Sequence, residues 1–135
     1  LDHLSRHGDR LPGCRHVLRD LGRRFRLGVV TNGIDRVQRS RIAASGLAPL
    51  FETGVASQSC GFAKPDPRIL HVALDAMGVL PRHAVYVGDD PATDGGAARA
   101  AGVRFVWVDR GHPVPGRRPS RRVSSLGELP GLLSL

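Results

Sequence analysis

The sequence has 135 residues, enough for one domain with a buried core. Hydrophobic residues make up 41% and aromatics only 4%, which excludes a disordered chain and leaves Val, Leu, Ile and Ala to build the core. The formal charge is +8, from nineteen arginines and one lysine, and the two cysteines, Cys14 and Cys60, form neither a C-x-x-C pair nor a His/Cys cluster at zinc spacing, which argues against a disulfide scaffold or a zinc module.

In chain order, residues 1 to 11 are polar and carry Asp2 and Asp9 with no apolar strand before them. Pro12 suits the first turn of a helix whose Val17, Leu18 and Leu21 share one face, closed by Gly22 and Arg23-Arg24. Phe25 to Thr31 reads as a buried strand that stops at the turn Thr31-Asn32-Gly33. A second helix is expected from Ile34 to Ser45, with Gly46 as its stop. Phe51 to Ser57 is a weak strand, and Gly61-Phe62-Ala63-Lys64-Pro65-Asp66-Pro67 is a loop that holds the sole lysine. Asp66 and Pro67 open a helix that buries Ile69, Leu70, Ala73, Leu74 and Met77, spaced three and four apart, until Gly78.

Ala84 to Gly88 is the clearest buried strand, and Asp89-Asp90 lead into an alanine-rich helix from Thr93 to Ala101 that Gly102 ends. Val103 to Val108 is a further strand, Asp109 to Arg122 a polar loop, and Ser125 to Leu133 a closing short helix. Strands that alternate with helices imply right-handed crossovers and a parallel sheet covered on both faces. In such sheets the ligand site lies beyond the carboxyl ends of the strands. Thr31-Asn32, Lys64 and Asp89-Asp90 all follow strands, so a hydroxyl, an ammonium and the carboxylates of Asp89 and Asp94 converge on one edge. That set suits phosphate handling with a hard cation: Mg²⁺ takes one or two carboxylates plus water and substrate oxygens, while Thr31 and Lys64 meet the phosphoryl group.

Here the residues resemble the haloacid dehalogenase-like hydrolase superfamily. Val29-Val30-Thr31-Asn32-Gly33 is similar to its second motif, Lys64-Pro65-Asp66-Pro67 to its third, and Val87-Gly88-Asp89-Asp90-Pro91-Ala92-Thr93-Asp94 to its fourth, G-D-x-x-x-x-D. The resemblance implies a three-layer α/β/α, Rossmann-like parallel sheet and a Mg²⁺-dependent phosphatase of a small phosphorylated metabolite, working through an aspartyl-phosphate. It implies Thr31 and Lys64 as catalytic residues, Thr31, Asn32, Gly33 and Lys64 as phosphate contacts, and Asp89 and Asp94 as metal ligands.

Two departures stand out. Gly95-Gly96 occupies a place where the family more often has an apolar residue, which loosens the first helical turn without moving a ligand. More seriously, no D-x-D segment occurs, so the first motif and its nucleophile are absent, and neither Asp2 nor Asp9 matches it. By resemblance the missing strand is the central one of a 5-4-1-2-3 sheet. The expectation is therefore a carboxyl-terminal portion, with residues 1 to 11 the end of a cap or linker and residues 12 to 135 an incomplete core, inactive alone. A truncated product, a complementing partner chain and a sheet closed around the gap are the alternatives.

Simpler readings exist for single residues. Thr31, Asn32, Asp89 and Asp90 can cap helices, Asp94 can favour a helix's positive end, and Asp66 reads as a cap and not a metal ligand. The other functional class is a non-catalytic anion-binding or regulatory module that uses the basic surface. Nucleic acid is not the expected partner, because the arginines are scattered and the run Arg117-Arg118-Pro119-Ser120-Arg121-Arg122 lacks aromatics for stacking. A nucleotide-binding domain is disfavoured by the lack of both glycine-rich phosphate loops. No apolar run can span a bilayer, and a cytoplasmic protein is expected.

Overall fold

In the computed structural model, residues 2–3, 14–34, 36, 39–40, 43–44, 46, 48–109, 111, 116, 119 and 121–133 are described. The main elements are β1 (Asp2–His3), α1 (Cys14–Arg24), β2 (Leu27–Thr31), β3 (Phe51–Ala56), α2 (Ser57–Cys60), α3 (Arg68–Met77), β4 (Val85–Gly88), α4 (Asp94–Ala101), β5 (Arg104–Val108), β6 (Arg122–Val123) and α5 (Leu129–Leu132). Within the helix expected over 34–45, residues 36, 39, 40, 43 and 44 are helical, Ile34 is not, and 35, 37, 38, 41, 42 and 45 lie outside the described residues.

All strand pairs are parallel: β1-β2-β3 form one ladder and β4-β5-β6 another. β1 also lies against β4, so the strands run β6-β5-β4-β1-β2-β3 across the molecule. This is the 5-4-1-2-3 order that the resemblance implies, with one strand added beside β5, and the central place expected to be empty in this chain is taken by the two residues of β1. Residues 2 and 3, inside the segment expected to end a cap or linker, pair as Asp2 with Leu27 and His3 with Gly28. The loop assigned to Asp109–Arg122 ends in a strand residue, because Arg122 and Val123 extend the sheet opposite Trp107 and Val108.

The period-two alternation of strand side chains divides the core into two halves. Val30 and Tyr86 point to the face covered by α3 and α4, where they meet Ile69, Leu70 and Ala97. Leu27 and Val87 point to the opposite face and meet Leu21 of α1 and Leu129 of α5. α3 buries the five residues expected of it and stops at Gly78, whose φ of 66° is left-handed. Tyr86 therefore faces α4.

The two glycines of α4 have a packing role. A Cβ on Gly95 would approach Phe105 Cε2 to 3.2 Å, and one on Gly96 would approach Pro65 Cβ to 3.2 Å. Small residues here let α4 settle onto β5 on one side and onto the Lys64-Pro65 turn on the other. Closeness to Pro65 brings the lysine loop up against the amino end of α4.

Candidate active site at the strand ends

Lys64 is the centre of the site. Its side chain is 5% exposed, and Nζ lies 2.6 Å from Asp94 Oδ1, whose own side chain is 2% exposed. Nζ also sits 5.6 Å from the centre of the Tyr86 ring, a cation–π distance. Tyr86 donates its hydroxyl to the same Asp94 Oδ1 at 3.3 Å, and the backbone N–H of Asp90 donates to Oδ2 at 3.2 Å. A buried carboxylate needs such partners, and these join the loops after β3 and β4 through one residue of α4.

Asp94 can fold back beneath the end of β4 because residue 88 is glycine. A Cβ at Gly88 would fall 2.6 Å from Asp94 Cγ, which no real Cβ tolerates. The G-D-x-x-x-x-D spacing thus has a mechanical cause: glycine makes room for the second carboxylate. Asp89 is half-buried, and its carbonyl accepts a hydrogen bond from Trp107 Nε1 at 3.3 Å, which fixes the backbone on which its side chain stands. Asp90 acts as the helix-start residue foreseen for it, accepting the N–H groups of Ala92 and Thr93 at Oδ1.

Thr31 ends β2, half-buried, next to Asn32. Asn32 and Gly33 are the other expected phosphate contacts, and in this structure protein groups engage both. Asn32 Nδ2 donates to the Lys64 carbonyl at 3.0 Å, and Oδ1 accepts the Lys64 N–H at 2.7 Å. Both ends of the amide are engaged by the backbone. The Gly33 N–H donates to Ser57 Oγ at 2.9 Å, so it too is held by protein. Tyr86 and Ser57 escaped the sequence reading. A tyrosine at a buried strand position requires a partner for its hydroxyl, and that was the available signal.

Thr31, Lys64, Asp89 and Asp94 therefore share one edge, and Lys64 and Asp94 are in direct contact. Asp2 does not join them. Its register partner is Leu27, four residues before Thr31, which places its backbone about 13 Å short of the strand end. Asp9 lies outside the described residues. Among the described residues no three His, Cys, Asp or Glu side chains gather to hold a metal. Both oxygens of Asp94 are engaged, Oδ1 by Lys64 and Tyr86 and Oδ2 by the Asp90 N–H, while Asp89 stands half-buried at the end of β4.

Comparison with known proteins agrees with this geometry. Residues 2–108 match the haloacid dehalogenase-like hydrolase family. The chain is 45% identical over 121 residues to phosphoserine phosphatase of Thermus thermophilus, covering 87% of this chain and 49% of that protein. It is 34% identical over 126 residues to the pyrimidine 5'-nucleotidase YjjG of Escherichia coli, covering 91% and 56%. Among solved structures, 2-haloacid dehalogenase from Pseudomonas syringae superposes with a TM-score of 0.80 at 33% identity, covering 92% of this chain and 53% of that one. The HAD-hydrolase YfnB from Bacillus subtilis, bound to magnesium, superposes at 0.83 with 27% identity, covering 93% and 56%. The chain spans about half the length of the curated relatives it matches. With the three motifs in order on the expected strand ends and the family match over residues 2–108, the chain belongs to the haloacid dehalogenase-like hydrolases.

Proposed function

We propose that these 135 residues are the phosphoryl-binding part of a Mg²⁺-dependent phosphatase that acts on a small phosphorylated metabolite through an aspartyl-phosphate. The observation that carries the reading is the buried contact between Lys64 and Asp94 at the carboxyl edge of the sheet, in the loops that bear the second, third and fourth motifs. The names of relatives support the substrate class, since they include a phosphoserine phosphatase and a phosphoglycolate phosphatase.

In this reading Thr31 donates its hydroxyl to a phosphoryl oxygen, and the Lys64 ammonium offsets the charge that builds on the transferring group. Asp89 and Asp94 would hold Mg²⁺, which supplies further charge neutralisation at the phosphoryl oxygens when bound. Asp94 also keeps Lys64 in place, so its carboxylate serves two purposes. The covalent step needs a carboxylate at the strand edge between Thr31 and Asp89. The sequence has no D-x-D to supply it, and the pairing of Asp2 with Leu27, four residues before Thr31, supports that reading.

The test is hydrolysis of an aryl phosphate with Mg²⁺. Residues 1–135 alone are expected to show negligible turnover. The same residues preceded by an apolar strand ending in D-x-D are expected to show metal-dependent turnover, lost in Asp89→Asn and in Lys64→Ala. Robust turnover by residues 1–135 that Asp89→Asn abolishes would overturn the assignment of the nucleophile. Absence of turnover in the completed chain, with the fold intact, would overturn the phosphatase reading.

A further inference from the structure

We infer that Asn32 is a positioning residue for Lys64, and that its side chain serves the site by fixing that lysine and not by touching a ligand. The inference deepens the phosphoryl-site reading, on which it rests only for what Lys64 is positioned to do. Asn32 and Lys64 are 32 residues apart in sequence, and one primary amide grips both polar groups of one peptide residue: Nδ2 donates to the Lys64 carbonyl and Oδ1 accepts the Lys64 N–H. The orientation of the amide is set by this partner. A flipped side chain would put a donor against the N–H and an acceptor against the carbonyl.

The consequence is that the backbone from which the ammonium extends is anchored to the end of β2. From that fixed point the side chain reaches Asp94 Oδ1 across the face of Tyr86. The opposite side of the turn is set by α4, whose Gly96 lies against Pro65. Lys64 is thus fixed at its backbone by β2 and at its ammonium by α4, and the two holds come from the elements that carry Thr31 and Asp94. A long flexible side chain held only at its tip would leave the loop free to carry the charge away from the edge. The amide removes that freedom.

The sole lysine makes the test specific, because lysine-selective ¹⁵N labelling yields one backbone amide and one ammonium resonance. In the wild-type chain the Lys64 amide is expected to be protected from hydrogen exchange and the ammonium to be visible at neutral pH, as a buried ion pair exchanges slowly. Asn32→Ala should lower the amide protection by about tenfold or more and broaden the ammonium signal away. Arg68→Ala, which removes the exposed fork to Asp66 beyond the same loop, should leave both signals in place even if the urea midpoint falls. Asn32→Asp keeps the acceptor for the Lys64 N–H and loses the donor, so intermediate protection is expected, and this variant decides the matter if Asn32→Ala does not fold. Both signals unchanged in a folded Asn32 variant would overturn the inference. Inorganic phosphate separates the two readings: a phosphate shift of the ammonium signal in wild type that vanishes in Asn32→Ala supports both. Loss of the signals in Asn32→Ala with no phosphate shift in wild type supports positioning and counts against the phosphoryl site alone.

Discussion

At the scale of single residues, the arrangement turns on a charge that cannot be left alone. Asp94 is almost fully buried and receives Lys64, Tyr86 and the Asp90 N–H. Removing the ammonium leaves a carboxylate in the core, and breaking a buried pair from one side typically costs about 3–5 kcal/mol. Lys64→Met should therefore destabilise the chain by that order in urea unfolding, and the double variant Lys64→Met/Asp94→Leu should lose less than the single one. A double variant at least as unstable as Lys64→Met would show that the pair contributes more than mutual neutralisation. An arginine cannot substitute simply, because the ammonium is enclosed by a carboxylate and a ring face, where a broad planar fork does not fit. This gives a physical reason for one lysine among twenty basic residues.

At the scale of elements, the start of α3 shows how a local charge sets a helix. Asp66 Oδ1 accepts the Arg68 N–H at 2.9 Å, the capping role read from the sequence, and its carboxylate also takes the Arg68 guanidinium. The side-chain bond from Arg68, then the backbone bond, hold the Asp66 carboxyl below its ordinary 3.8. A carboxyl depressed in the folded state stabilises above its unfolded pKa and loses that contribution as pH falls through the lower folded value. The stability gap between wild type and Asp66→Ala should accordingly be present at pH 6 and shrink in acid below about pH 4. Urea midpoints across that range measure it, and a gap that widens in acid would contradict the assignment. Elements with a repeating apolar signal were legible: α3 from its three-and-four spacing and β4 from its continuous apolar run, as were the ends of α3 and α4 from Gly78 and Gly102. β1 and β6 were not, since two residues hold no period and exist only through the edges of β2 and β5.

At the scale of the whole molecule, parallel pairing explains why the motif residues meet at all. Every paired strand runs the same way, so each strand's polar successor emerges at one edge, and Thr31, Asp89 and the Lys64 loop gather without being near in sequence. That convergence was readable from the alternation of strands and helices. The partition of labour within the site was not: Asn32 and Gly33 carry groups that suit phosphate equally well, and only the folded loops reveal that Lys64 and Ser57 engage them. Arg15, Arg19, Arg23 and Arg24 on α1 are exposed and contribute to the basic surface. We propose that the ammonium and the two carboxylates form one site for a phosphoryl group and a cation, and thermodynamic linkage tests this most directly. Calorimetric titration of residues 1–135 with Mg²⁺, with and without inorganic phosphate, is expected to show each ligand tightening the other by the same factor, with the coupling lost in Asp89→Asn. Binding of the two ligands that is independent in wild type, or coupling that survives Asp89→Asn, would contradict it.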